Sequence, residues 1–207
     1  MNLKKDDLIL FLGDSITDAG RDRENTFDLG PGYPSMAAAA LSVLRPDLSL
    51  RFLNRGIGGN KTNDVLERLE EDCIRLAPSM VSILLGINDV WHRINHAGNT
   101  DAEMETYYRQ ILTRIRNALG DIPLVIMEPF LTADKTVEID RGEVDSIITI
   151  VRRLAEEFNA VFVPLDAPLE KAGEAFGAHA LTKEGVHPTP QGHSIIAKHW
   201  LDAVLGM

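Results

Sequence analysis

Residues 8–15 read Leu-Ile-Leu-Phe-Leu-Gly-Asp-Ser, and this octet decides the fold. Five consecutive apolar residues, Leu8–Leu12, ended by Gly13, describe a strand covered on both faces, because a strand with one wet face alternates. Such strands belong to parallel sheets, whose neighbours are reached through helices. The chain repeats the pattern outward from there. Leu48, Leu50 and Phe52 alternate into a second strand, and Met80–Leu85, Leu124–Met127 and Val161–Val163 supply three more. Between them the spacing predicts a helix from near Tyr33 through the Ala37–Ala40 run to just before Pro46. A second, capped by Thr62, carries Val65, Leu66, Leu69, Cys73 and Leu76 on one face and stops at Pro78. A third covers Asp101–Leu119 with Tyr107, Ile111, Leu112 and Ile115 inward, and a fourth Val144–Phe158. Thr189-Pro190 opens the last, with proline at its tolerated first position. The expectation is a single α/β domain over residues 1–207: a five-stranded parallel sheet in a three-layer α/β/α sandwich.

The chain has 207 residues, 44% of them hydrophobic and 25% charged, enough to bury roughly 70% of the surface its unfolded form exposes. Lys and Arg number 21 against 31 Asp and Glu, a net charge of −10. An acidic surface repels phosphate backbones, so neither nucleic acid nor an anionic membrane is expected as partner. The one cysteine, Cys73, excludes an internal disulfide framework and a cysteine-based zinc ribbon. The six histidines do not fall at ligand spacing, and His193 and His199 do not share a helical face as an i,i+4 pair would. The turn Gly56-Ile57-Gly58-Gly59 lacks the spacing of a dinucleotide fingerprint and the lysine of a phosphate loop. No metal or cofactor is therefore expected. At the N-terminus Lys4 and Lys5 are followed by Asp6 and Asp7 and a run too short for a secretory signal, and no stretch approaches the ~18 apolar residues of a membrane span. The expected location is cytoplasmic.

Ligands of open α/β sheets bind at the carboxyl ends of the strands. Strand one ends in Gly13-Asp14-Ser15, strand two in Asn54-Arg55-Gly56-Ile57-Gly58-Gly59, and strand three in Gly86-Ile87-Asn88-Asp89; Glu184-Gly185-Val186-His187-Pro188 precedes the last helix. Each alone reads as an ordinary turn. Together, in order, they place a serine, a histidine and several amide donors on one rim. A serine hydroxyl needs an adjacent base to act as nucleophile, and His187, pinned by Pro188 and Pro190, is the candidate. Glu184, three residues upstream, is the carboxylate able to fix its tautomer. The backbone N–H groups of Ser15 and Gly59 and the side-chain amide of Asn88 are the candidate donors to an oxyanion.

At these residues the sequence resembles the SGNH hydrolases, also called the GDSL family. The matching blocks are Gly13-Asp14-Ser15 with Ile16-Thr17-Asp18, Asn54 through Gly59, Gly86-Ile87-Asn88-Asp89, and Val186-His187-Pro188. The resemblance implies a flavodoxin-like fold and ester hydrolysis through an acyl-serine intermediate. By position it implies Ser15 as nucleophile, His187 as base and Ser15, Gly59 and Asn88 as oxyanion hole. Residues 10–21 (LFLGDSITDAGR), 81–91 (VSILLGINDVW) and 185–193 (GVHPTPQGH) look like bacterial intracellular acetylxylan esterases, which implies acetylated xylo-oligosaccharides as substrate and a homo-oligomer. One position departs from the family: an aspartate usually stands three residues before the histidine, where this chain has Glu184. The extra methylene moves the carboxylate by about 1.5 Å. Glu184 is assigned as third member, with a backbone carbonyl or Asp166 as alternatives.

Asp14, Trp91 and Arg55 are the candidate substrate contacts. Trp91 has the ring to wall an acyl pocket or stack on a sugar, or equally to pack under a loop; Arg93, Tyr33 and His92 share that ambiguity. The expected substrate is a small acyl ester. Two other readings stay open: an esterase or lipase of the same fold acting on longer acyl chains or lysophospholipids, and a non-catalytic sugar-binding protein.

Overall fold

The computed structural model describes residues 3–133 and 138–207. Strands β1 (Leu8–Gly13), β2 (Arg51–Gly56), β3 (Met80–Leu84), β4 (Leu124–Met127) and β5 (Val161–Val163) form one parallel sheet in the order β2-β1-β3-β4-β5. Every residue of β3 and β4 is buried, as is β1 from Ile9 onward, which is why those segments read as unbroken apolar runs. The chain passes from β1 out to β2, then back across β1 to β3. That reversal opens a crevice at the carboxyl edge between β1 and β3. The register aligns Gly13 with both Gly56 and Leu84, so the loops leaving three strands emerge side by side.

The short helix α1 (Ser15–Asp18) follows β1 directly, and α2 (Tyr33–Leu44) leads to β2. Between β2 and β3 lie α3 (Thr62–Glu67) and α4 (Leu69–Asp72); α5 (Ile87–Trp91) follows β3, and α6 (Asp101–Leu119) and α7 (Arg141–Glu157) complete that half. After β5 come α8 (Asp166–Phe176), α9 (Ala178–Leu181), a hairpin of β6 (Thr182–Lys183) and β7 (His187–Pro188), and α10 (Pro190–Leu205). Helices α3, α6 and α7 pack along one face, α2 and α10 on the other, giving three layers. On the α2/α10 side Phe11 of β1 meets the rings of Tyr33 and Trp200 at centroid distances of 5.7 and 5.3 Å. The buried hydroxyl of Ser82 accepts the Trp200 indole N–H at 2.9 Å, so a polar atom in the sheet centre is satisfied.

Helix starts follow their side chains. Thr100 and Glu103 close a reciprocal capping box on α6, Asp140 caps α7, and Thr189 caps α10 ahead of Pro190. The structure corrects four details of the sequence reading. Leu48 belongs to a 3₁₀ turn, Pro46–Leu48; left-handed Ser49 (φ 47°) interrupts the extended chain and β2 begins at Arg51. The 62–76 segment is not one helix: it breaks at Arg68 and again at Cys73, and ends in a 3₁₀ turn. Thr62 is not its cap but its first residue, with the hydroxyl donating to Asp89. On α6 it is Tyr108, in phase with Met104, Ile111 and Ile115, that is buried, while Tyr107 lies at the edge of the stripe.

Candidate active site

Ser15 occupies the first position of α1, immediately after the buried strand, with Asp14 as cap accepting the Ile16 N–H at 3.0 Å. Its Oγ lies 2.8 Å from His187 Nε2. The other ring nitrogen of His187, Nδ1, is held by Glu184 Oε1. Serine, histidine and carboxylate thus form one hydrogen-bonded chain. Asp166, the alternative carboxylate, is committed elsewhere: it accepts the Leu131 N–H at 3.0 Å and pairs with Arg141.

The β6–β7 hairpin carries this chain's second half. Lys183 pairs with His187 and Thr182 with Pro188, leaving Glu184, Gly185 and Val186 as the tip. Thr132 pins the tip by bonding the Gly185 carbonyl through its N–H at 3.0 Å and the Thr182 hydroxyl at 2.6 Å. From behind, the Thr189 hydroxyl donates to the Ala180 carbonyl.

The loop after β2 approaches Ser15 from the other side. Glycine is required at Gly56, where a Cβ would stand 2.2 Å from the Asp18 backbone nitrogen. Ile57 N–H bonds the Gly13 carbonyl at 3.1 Å, and Gly58 N–H the buried Asp18 carboxylate at 3.0 Å. Gly59 turns with φ 82°, and a Cβ there would meet nothing within 4 Å, so the left-handed backbone alone demands glycine. The third loop supplies Asn88, buried on α5, whose Nδ2 donates to the Asn60 carbonyl at 3.1 Å. That bond uses one amide hydrogen and leaves the second.

Several residues brace these loops. Asn54 spans the Thr17 and Leu29 carbonyls (2.6 and 2.9 Å) and accepts the Gly56 N–H. The Arg68 guanidinium donates to the Gly13 and Arg55 carbonyls, to Asn60 and to Asp72, tying two strand ends together. Asp89 accepts from the Thr62 backbone, the Thr62 hydroxyl and Asn99. Asn54 and Asp89 fall inside the motif blocks, but most of their partners, like those of Arg68, lie far away in sequence, so the bracing itself is written in no local pattern.

A cavity of about 480 Å³ opens beside the chain, lined by Ser15, Ala19, Pro31, Glu184, His187 and His193 among others. Trp91 stands with its ring 5.4 Å from that of His187, tilted by 51°. Two of the expected substrate contacts lie off the cavity wall. Asp14 has no exposed surface and its side chain turns into the protein, where burial pushes its pKa up to about 7. Arg55 lies along the loop instead of the cavity, donating to the Asn54 carbonyl at 3.0 Å and facing Asp72. Tyr33 is likewise fully buried, its hydroxyl 3.0 Å from Thr17 Oγ1, and Arg93 is engaged by Asp101 and Glu143. Among the described residues no three His, Cys, Asp or Glu side chains gather as metal ligands, and no helix is long and apolar enough to cross a membrane.

The family model for GDSL-like lipases and acylhydrolases matches residues 11–195. An acetylxylan esterase of Geobacillus stearothermophilus is 33% identical over 210 residues, covering 97% of this chain and 95% of its own. Its crystal structure superposes with a TM-score of 0.88 over 99% of this chain and 96% of that one, at 32% identity. Solved variants of that esterase described as catalytic mutants replace a serine, an aspartate and a histidine. A GDSL-lipase-like protein of Parabacteroides merdae superposes with a TM-score of 0.93 over 98% of this chain and 97% of that one, at 37% identity.

Proposed function

The chain belongs to the GDSL-like lipase/acylhydrolase family and is a carboxylic ester hydrolase, and from that premise we propose that it removes acetyl groups from carbohydrate esters such as acetylated xylo-oligosaccharides through an acyl-serine intermediate. The observation that carries the proposal is the hydrogen-bonded chain Ser15–His187–Glu184 at the carboxyl edge of the sheet. His187 Nε2 takes the Ser15 proton as Oγ attacks the ester carbonyl. Glu184 holds the imidazole by Nδ1 and stabilises the imidazolium that forms. The carbonyl oxygen, now an anion, is received by the Ser15 and Gly59 N–H groups and by the free amide hydrogen of Asn88. Ser15 N–H suits this role because the first N–H of a helix has no carbonyl a turn earlier. His187 then hands its proton to the departing alkoxide, and the freed alcohol leaves an acetyl group on Oγ. Water attacks that ester with His187 again as base, releasing acetate and restoring Ser15.

The carbohydrate assignment is supported by the similarity to the Geobacillus stearothermophilus acetylxylan esterase along nearly the whole of both chains. A net charge of −10 suits a neutral sugar better than an anionic lipid. Hydrolysis of p-nitrophenyl esters from acetate to octanoate, beside Ser15→Ala, tests the reading, followed by acetylated xylose and xylo-oligosaccharides. Activity on acetate that falls steeply by butyrate and vanishes in Ser15→Ala is the expected result. A preference for long chains would overturn the sugar assignment in favour of a lipase or lysophospholipase, and no Ser15-dependent hydrolysis would leave a sugar-binding protein.

A further inference from the structure

His193, on the first turns of α10, lines the same cavity as Ser15 and His187 but takes no part in the proton relay. Its Nδ1 accepts the backbone N–H of Tyr33 at 3.1 Å. That N–H belongs to the first residue of α2 and has no carbonyl of its own helix to bond. The bond fixes the tautomer: with Nδ1 supplying its lone pair, the proton of the neutral ring sits on Nε2. The ring cannot turn over, being stacked on Tyr33 (centroids 6.4 Å, 24°) and close-packed on Gly32, where a Cβ would come 3.0 Å from Cε1. Burial and the neighbouring His187 push its pKa down to about 4, keeping it neutral and its Nε2–H in place at working pH. No acceptor within the described protein meets Nε2–H.

The cavity into which this ring faces contains His187 but neither Gly59 nor Asn88. His193 thus stands beside the relay, in a wall that the proposed oxyanion donors do not share. There the oxygen of the departing alcohol must sit to collect its proton from His187. We propose that His193 is a specificity-determining residue whose fixed Nε2–H donates to an oxygen on the alcohol half of the ester, selecting alcohols that carry a hydroxyl or ring oxygen beside the acylated position. The inference rests on the esterase reading above and assigns one of its recognition contacts. A ring that is always a donor and never a base discriminates without competing with His187 for the proton.

Two substitutions separate this role from the support His193 gives Tyr33. His193→Asn places an amide oxygen where Nδ1 stood, keeping an acceptor for Tyr33 N–H while removing the Nε2–H donor. His193→Gln restores an N–H near the Nε2 position but gives up the acceptor for Tyr33. The readout is the ratio of kcat/KM on a mono-acetylated methyl xyloside to that on p-nitrophenyl acetate, whose alcohol has no neighbouring hydroxyl. One hydrogen bond in a desolvated site is worth about tenfold. The expected result is a ratio lowered about tenfold in His193→Asn, mostly through KM, with Tm near wild type. His193→Gln is expected to keep the ratio within about threefold while its Tm falls. An unchanged ratio in His193→Asn, or an equal loss in His193→Gln, would overturn the inference. A wild type inactive on the xyloside would instead remove the carbohydrate reading; glycerol monoacetate then replaces the xyloside and the same ratio decides the role of His193.

Discussion

Glu184 reaches His187 Nδ1 across the tip of the β6–β7 hairpin from a left-handed backbone, φ 44°, and Gly185 follows at φ 89°. Two successive left-handed residues curl the tip back on itself, so the longer glutamate side chain folds over its own turn to meet the ring. A non-glycine residue in that conformation costs on the order of 1–3 kcal/mol, and it is tolerated here because Thr132 grips both sides of the tip. The contact is thus made by the backbone as much as by the side chain. We expect Glu184→Gln to lower kcat at least tenfold with Tm little changed, since an amide keeps the shape but not the charge facing the imidazolium. Steady-state kinetics beside a thermal melt checks this; near-wild-type turnover would take Glu184 out of the relay.

Asn88 gives one amide hydrogen to the Asn60 carbonyl and keeps the other. In the proposed mechanism the second hydrogen meets the developing anion, so replacing Asn88 with alanine removes an interaction stronger in the transition state than in the bound ester. Losing one such donor costs about 10²–10³ in turnover. Asn88→Ala should therefore lose activity in kcat with KM nearly constant. A change confined to KM would show that the amide holds substrate and does not stabilise charge.

Asp89 offers a sharper test of how the site is braced. Its buried carboxylate receives three donors, the Thr62 N–H and hydroxyl and the Asn99 amide, so the start of α3 is tied to the residue next to Asn88. The loop bearing Gly59 runs straight into that helix. Asp89→Asn puts an N–H where an acceptor is needed, leaving a buried donor unmet at a cost of about 1–3 kcal/mol. Both a lower Tm and a lower kcat are expected, because the loops bearing Gly59 and Asn88 lose their common anchor. Full activity at reduced Tm would confine Asp89 to stability.

What the sequence disclosed follows the range of the interactions. β1, β3 and β4 were legible because burial on both faces writes itself as a local apolar run, and Ser15, Gly59, Asn88 and His187 stood out as candidates because they sit just beyond strand ends or just before a proline. The β6–β7 hairpin was not, since strands of two residues have no period to detect. Helix α8 was not among the expected elements: its sequence carries Pro168 and Gly173, both poor helix formers, and of its side chains Leu169 is the buried one. The surroundings of Arg55 and Asp14 were not legible for a common reason: each is a polar residue next to the site whose partners, Asp72 in one case and the interior in the other, are chosen by tertiary structure. His193 looked like any histidine on a helix until Tyr33, 160 residues earlier, was seen to fix its tautomer.

Asp14 and His193 also give the protein opposed pH responses that one substitution separates. Asp14 is wholly buried; Oδ1 takes the Ile16 N–H and Oδ2 has no partner. Burial, with the charge of Asp89 adding to it, raises its pKa from 3.8 to about 7. Between those values the folded protein keeps a proton that the unfolded chain has lost, so this group's contribution to stability falls as pH rises and is fully lost above about 7. His193 runs the other way. With its pKa lowered from 6.5 to about 4, the unfolded chain holds the extra proton in that window, and stability rises with pH. Asp14→Asn preserves an acceptor for Ile16 and cancels only the first slope. The Tm of the variant relative to wild type should climb steadily from pH 4 to 7 and level off above, which thermal melts across pH 4–8 would record. A difference flat in pH would mean that Asp14 ionises like an ordinary carboxylate, with water reaching Oδ2 behind Ser15.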